Sequence, residues 1–531
     1  MAIDPPWDLL LTNARLVDGT GSPWRRADVA VRGDRIAAVA PNLPPSARTV
    51  LDAAGRVVAP GFIDMHSHHD LFHMARPTCD PKILQGVTTE LLGQDGCGPA
   101  PVRPDFAAQR RENLAPLDGD PDLDWNWPTF AAYLDALARR PGATNVAALV
   151  THGAVRSVVM GHEPRPATPG EIAAMRPLVA EAMEAGARGL STGLIYNPCR
   201  YAETAELTAL YAETAARGGI LVAHVRNEAD GLPAALEEMA AIHQATGVPL
   251  HISHLKLIGR PNWHLADAVL GFFEGSRAAG IDATFDQYPY TAGSTLLSVL
   301  LPPWAREGGV EPTLTCLRDA TARERMRRDI GNGIPGWENI AGLCGWEGTM
   351  VAGVASAANR ALEGETIADL AKHRGVDPLD VVADLLVAER MQVSMVDFYG
   401  CEENVRAFAA HRLQTVGTDG IVAGRAHPRL WGTFPRILGR FVREAGITSL
   451  EEAVRKMTGA AANRLGLADR GILRPGMAAD LVVFDPVTIE DRATYREPEL
   501  PPAGIDWVFV NGVSVVEKGA VTGATPGRVL R

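Results

Sequence analysis

The chain has 531 residues, of which 46% are hydrophobic and 21% charged, a balance that fits a packed core and excludes global disorder. That length exceeds one minimal domain and suits one large barrel with a small accessory domain. A net charge of −12 argues against a nucleic-acid surface, because phosphate binding needs clustered Lys and Arg.

No uninterrupted apolar run approaches the ~20 residues that span a bilayer, so no membrane partner is expected. The opening MAIDPPWDLLL lacks a basic region and a long apolar region, and no secretory signal is visible. Six sparse cysteines (Cys79, Cys97, Cys199, Cys316, Cys344 and Cys401) read as reduced thiols of a cytoplasmic protein.

In the first sixty residues, DLLLTNARLVDG, ADVAVRGDRIAAVA and GRVVAPG each read as half-buried strands closed by Gly or Asn/Asp. The last sixty repeat that texture: GMAADLVVFD is a predicted strand, and IDWVFVNGVSVVEKG a hairpin turning at Asn511-Gly512. The two ends therefore read as halves of one small β-domain, covering 1–60 and 472–531.

Between them, residues 61–471 alternate apolar β-rich runs with helical patterns such as TFAAYLDALARR and GLPAALEEMAAIHQATG. Eight predicted strands end near His66, Gly93, His152, Gly193, His224, His254, Tyr288 and Asp419. Strand–helix alternation predicts parallel strands with right-handed crossovers, and eight repeats fit a (β/α)8 barrel, with a doubly wound sheet as the alternative. More than a hundred residues separate the last two strands. They hold a loop-like stretch rich in Pro, Gly and Trp at about 296–348, expected to be a lid or else a surface excursion or a dimer contact.

In a barrel, the C-terminal strand ends meet on one face. His66 and His68 lie two apart on the first strand, so both imidazoles point to one side, as two ligands of one metal ion require. His69 has the opposite parity. Asp70 suits either an orienting contact to a ligand imidazole or a helix cap. His224 and His254 end the fifth and sixth strands, whereas His251 has the wrong parity. Four imidazoles around one mouth favour zinc, with Fe, Mn, Co and Ni left open by residue type. Asp419 ends the eighth strand in GTDG. Alone it would read as a turn or cap; beside four histidines it reads as a base that takes a proton from water and passes it to a leaving group.

Stretches along nearly the whole chain resemble the metal-dependent amidohydrolase superfamily and, within it, the D-aminoacylases (N-acyl-D-amino-acid deacylases). They are VAPGFIDMHSHHD, GVTTELLGQDG, GLSTGLIYNP, DQYPYTAGST, GTDG, AHPRLWGTFPRILGRFVRE and LRPGMAADLVVFD. PGFIDMHSH marks only the superfamily; YPYTAGST with HPRLWGTFPR is more specific. The resemblance implies a (β/α)8 barrel with a β-sandwich built from both termini, His66, His68, His224 and His254 as metal ligands, and Asp419 as catalytic base. It also implies that Lys256, Tyr288, Ser294 and Arg429 hold a substrate carboxylate, which suits their donors. Arg429 could instead pair with a barrel carboxylate, Tyr288 could simply pack, and Ser294 could be a turn residue.

The sequence departs from the family at two places. Family members carry a Cys ligand in GNCG, where this chain has GQDG; Asp95 takes that place as an oxygen ligand, with a plain turn Asp and ligation by Cys97 as alternatives. Relatives with two bridged metals carry a carboxylated lysine on the fourth strand, yet that strand reads GLSTG, and the five lysines (Lys82, Lys256, Lys372, Lys456 and Lys518) all lie elsewhere. One tightly held Zn²⁺ with a second, weaker site is the expectation. The implied reaction is hydrolysis of N-acyl amino acids, with D configuration from the resemblance, and the partner is that small-molecule substrate; a homo-oligomer is left open. Rival readings are a cyclic-amide hydrolase of the hydantoinase or dihydroorotase type, an amidohydrolase of another acylated amine, a deaminase, and a catalytically dead scaffold.

Overall fold

The computed structural model describes residues 6–531; the first five residues of the opening segment lie outside the described residues. Among the described residues no helix is long and apolar enough to cross a membrane.

Both chain ends enter one nine-stranded sheet. The N-terminal strand Trp7–Leu16 pairs antiparallel with Arg25–Arg32 and parallel with Ala47–Asp52 and Val57–Pro60. Val57–Pro60 in turn pairs with Leu481–Phe484 from the far end of the chain. Alternation sends the side chains to two cores. Val58, Leu481 and Val483 join Leu9, Leu11 and Val29 on one face, while Val57, Val482 and Phe484 meet Phe62, Phe434 and Phe441 on the other. The C-terminal hairpin turns at Asn511 (φ 48°) and Gly512 (φ 80°), the left-handed pair that a two-residue turn demands. ADVAVRGDRIAAVA forms two strands, Arg25–Arg32 and Arg35–Ala40, because Gly33 takes φ 56° and reverses the chain between them. Ala47–Asp52 adds a strand the pattern did not signal; its mostly exposed side chains carry no alternation to read.

The centre is a TIM-barrel-like α/β domain. Phe62–Asp64, Val87–Leu92 and Asn145–Ala148 form one parallel sheet. Val150–Thr151, Gly189–Gly193, Ile220–His224, Leu250–Ile252, Ala283–Gln287 and Gln414–Val416 form a second, in that spatial order. The third strand crosses from one sheet to the other at Leu149. The first and eighth strands approach at the other seam, where Met65 N donates to Val416 O (3.0 Å) and Asp419 N to His66 O (2.8 Å). Asp64 stitches this seam: it accepts from His66 N and Thr418 N through Oδ1, and from Lys82 Nζ (2.6 Å) and Thr418 Oγ1 through Oδ2.

The stretch at 296–348 is not loop-like. Helices Val310–Arg318 and Ala320–Asn332 occupy much of it, the second capped by Asp319, which accepts from Thr321 N and Ala322 N. They belong to a larger insertion with its own antiparallel sheet of Ala292–Leu296, Thr349–Val354 and Val393–Phe398. Its core gathers Leu297, Leu317, Met326, Val351, Leu386 and Met395. Clustered Pro, Gly and Trp at both edges hid short helices whose buried faces are narrow.

Candidate metal and catalytic site

The site is organised around Asp95. It sits at the end of the second strand with φ 56°, a conformation an L residue adopts only when its surroundings hold it there. The flanking glycines make this possible. A Cβ on Gly93 would lie 2.3 Å from Leu149 O, and one on Gly96 2.9 Å from Cys199 Sγ. Asp95 Oδ2 then stands 3.5 Å from His66 Nε2, 3.5 Å from His68 Nε2, 3.4 Å from His254 Nε2 and 4.0 Å from His224 Nδ1. The four histidines predicted from three strand ends thus converge on one carboxylate, and all are buried. Asp419 (φ 48°) lies beside two of them, its Oδ1 3.6 Å from His66 Nε2 and 3.3 Å from His68 Nε2.

These donors fit a cation. His66, His68, Asp95 and Asp419 form one compact group, and Asp95, His224 and His254 a second that shares Asp95. His66 Nε2 and Asp95 Oδ1 are buried without a hydrogen-bond partner, which native structures seldom leave unexplained. Burial opposes charge on His66 and His68, yet Asp95 and Asp419 outweigh it and raise both imidazoles to about 10. The pocket attracts positive charge. Cys97 stands outside both groups; burial pushes its thiol up, which disfavours the thiolate a metal takes.

Several carboxylates missed in the sequence fix the imidazoles. Asp286, on the seventh strand, accepts from His254 N (3.0 Å) and faces His66 Nδ1 (3.6 Å). His251, of the wrong parity for the mouth, holds Asp286 from behind at 3.0 Å. Glu228 contacts His254 Nδ1 (3.1 Å) and lies 3.5 Å from His224 Nε2. Its position four residues after His224, in HVRNE, was the available signal. His69 turns away, as its parity predicts, to Glu90 (3.0 Å). Asp70 caps no helix; it accepts from Gly93 N (3.3 Å) and Tyr133 OH (3.3 Å), supporting the loop that carries Asp95.

The predicted carboxylate-binding residues separate into two sets. Lys256, Tyr288 and Ser294 line the pocket with Ile195, Ile258, Ile340 and Ile421. Lys256 Nζ pairs with Glu228 (2.7 Å) and contacts His254 Nδ1 (2.7 Å). Arg429 is fully buried and does not line the pocket. It pairs with Asp419 Oδ2 at 2.9 Å, donates to Ser294 O (3.0 Å) and lies over the Tyr288 ring at 4.4 Å. Burial would raise the Asp419 carboxyl, but Arg429 and the histidines hold it well below the usual carboxylate range. Two further acids from the insertion enter the pocket unannounced, Glu338 and Asp397; burial raises them to about 8 and about 7. No local pattern marks either, because the insertion's packing alone brings them there.

Residues 49–516 match the amidohydrolase family. The D-aminoacylase of Alcaligenes xylosoxydans xylosoxydans is 40% identical over 527 residues, covering 99% of this chain and 98% of that protein. The N-acyl-D-glutamate deacylase of the same organism is 38% identical over 528 residues, covering 99% and 96%. The crystal structure of N-acyl-D-glutamate deacylase from Bordetella bronchiseptica, complexed with zinc and a phosphonate mimic of the tetrahedral intermediate, aligns with a TM-score of 0.84 at 36% identity, covering 99% of each chain. With its full length matched and its strand-end histidines converging on one carboxylate, the chain belongs to the amidohydrolase family, in its D-aminoacylase branch.

Proposed function

We propose that the protein hydrolyses the amide bond of N-acyl-D-amino acids, giving a carboxylic acid and a free D-amino acid. The observation that carries this reading is Asp95 Oδ2 within 4.0 Å of four imidazoles, with Asp419 beside two of them. His66, His68, Asp95, His224 and His254 would hold Zn²⁺, the ion that an imidazole-rich set favours. Two donor groups sharing Asp95 support one tightly held ion and a weaker second. When bound, the ion supplies Lewis acidity, which brings the pKa of water to about 7 and polarises an acyl carbonyl.

Asp419 takes the proton of the attacking water as its oxygen bonds to the acyl carbon. It returns that proton to the amine nitrogen as the C–N bond breaks. Arg429 holds Asp419 Oδ2 and leaves Oδ1 turned toward His66 and His68. Lys256, Tyr288 and Ser294, which line the pocket, receive the α-carboxylate, with Lys256 sharing its charge between that group and Glu228. Arg429 acts on that carboxylate at one remove, through the Tyr288 ring. The shared nine-stranded sheet supports a composite β-sandwich domain of residues 1–60 and 472–531 beside the catalytic barrel of 61–471.

Zinc-reconstituted protein assayed on paired N-acetyl-D- and N-acetyl-L-amino acids tests the reading. Turnover confined to the D series is expected. Equal turnover of both enantiomers, or hydrolysis of cyclic amides alone, overturns it.

A further inference from the structure

Past Ile195, Glu338 and Ile340, which line both spaces, the catalytic pocket adjoins a second cavity of about 340 Å³. Three arginines face it: Arg200, Arg226 and Arg306. Arg226 is satisfied, donating to Glu238 (2.8 Å) and to the Ala202 carbonyl. The other two are not. Arg306 is only 8% exposed, its Nε has no hydrogen-bond partner, and among the described residues no carboxylate lies within ion-pair distance of it. Arg200 has a buried, unpartnered Nη1 and lies over the Tyr201 ring at 5.6 Å. Buried guanidinium groups without a counter-charge are strongly unfavourable unless something anionic completes them. Burial and the neighbouring Arg200 pull Arg306 down to about 9, a pull that Tyr201, Tyr196 and Glu338 offset only in part.

We propose that Arg306 and Arg200 form a subsite for a second carboxylate of the substrate, carried at the far end of its acyl group. The assignment rests on the deacylase reading above and on position around the barrel. Asp419, which serves the amine, follows the eighth strand, and Tyr288 and Lys256 follow the neighbouring seventh and sixth. The α-carbon and its carboxylate therefore lie on that side. The cavity opens beyond the fourth and fifth strands, at Leu194, Ile195, Arg200 and Arg226, on the other side of the scissile carbonyl. A planar guanidinium fork matches a carboxylate there.

The test compares N-succinyl-D-leucine with its uncharged isostere, N-succinamoyl-D-leucine, on the zinc-loaded enzyme. Charge-assisted hydrogen bonds predict a kcat/KM ratio of about 10- to 100-fold in favour of succinyl. Arg306→Met should collapse that ratio and Arg306→Lys restore part of it; a ratio within one variant is independent of how much of it folds. The wild-type ratio decides if neither variant folds. A ratio near one, with both compounds turned over, overturns the subsite and leaves the deacylase reading intact. A preference for N-acetyl-D-glutamate over N-acetyl-D-leucine without any succinyl preference overturns the acyl-group assignment, since the second carboxylate then enters on the side chain. No turnover of any N-acyl-D-amino acid refutes the deacylase reading, and the subsite falls with it.

Discussion

Arg429→Met separates two roles for the most buried cation of the site. Arg429 touches Asp419 at 2.9 Å and does not line the pocket, so its loss should act on the catalytic carboxylate before it acts on substrate binding. Unit charges at that distance interact by about 6 kcal/mol at an effective dielectric near 20. His66 and His68 remain within 3.6 Å of Asp419 and offset part of the loss. The Asp419 carboxyl should still rise, and a base of higher pKa needs a higher pH to ionise, so the acid limb of the kcat profile moves upward. Misplacing a catalytic group by about 1 Å lowers turnover by about 100-fold, and a fall of that order in kcat with KM changed less than about threefold is the expected outcome. Removing one partner of a buried pair costs about 3–5 kcal/mol of stability, so turnover is normalised to the folded fraction by circular dichroism. Arg429→Lys, which keeps the charge, should recover part of kcat. A KM raised about tenfold or more at unchanged kcat and pH profile would refute the reasoning and place Arg429 on the substrate carboxylate.

Asp419→Asn should retain metal, measured by plasma emission, while kcat drops by about 10²- to 10⁴-fold; equal loss of metal and activity would make Asp419 a structural ligand. Lys82→Met leaves Asp64 and Glu90 buried without their ammonium and should lower unfolding stability by about 3–5 kcal/mol in urea melts, with a loss under 1 kcal/mol contradicting the seam's importance. Lys456 is buried, and burial pulls its ammonium down to about 8. Between that value and the ordinary 10.5 the unfolded chain holds a proton the folded chain has released, so stability rises with pH by up to about 1.4 kcal/mol per pH unit. Melts of Lys456→Met across pH 8 to 10 should lack that increment; parallel curves for variant and wild type would contradict it.

The strand-end residues were legible because barrel geometry converts sequence spacing into convergence. Parity placed His66 and His68 together and sent His69 to Glu90. The residues that tune the site were not legible, since Asp286, Glu338 and Asp397 act through packing between elements far apart in sequence. Arg429 illustrates the limit: the residue type allowed either a substrate or a barrel carboxylate as its partner, and only the fold places its guanidinium 2.9 Å from Asp419. The insertion was misread for a related reason. Val310–Arg318 is short and Ala320–Asn332 buries only Met326, so neither offers an extended apolar stripe beside the Pro and Gly that bound them.

The account turns on whether Asp95 joins the imidazoles around it in holding the tightly bound cation. The most direct measurement is anomalous diffraction at the zinc edge from crystals of zinc-loaded protein, alongside crystals of Asp95→Ala. A strong peak beside Asp95 and the histidines of one of its two donor groups, lost or much weakened in the variant, is the predicted result. A zinc peak elsewhere, or one undiminished without the Asp95 carboxylate, would contradict it.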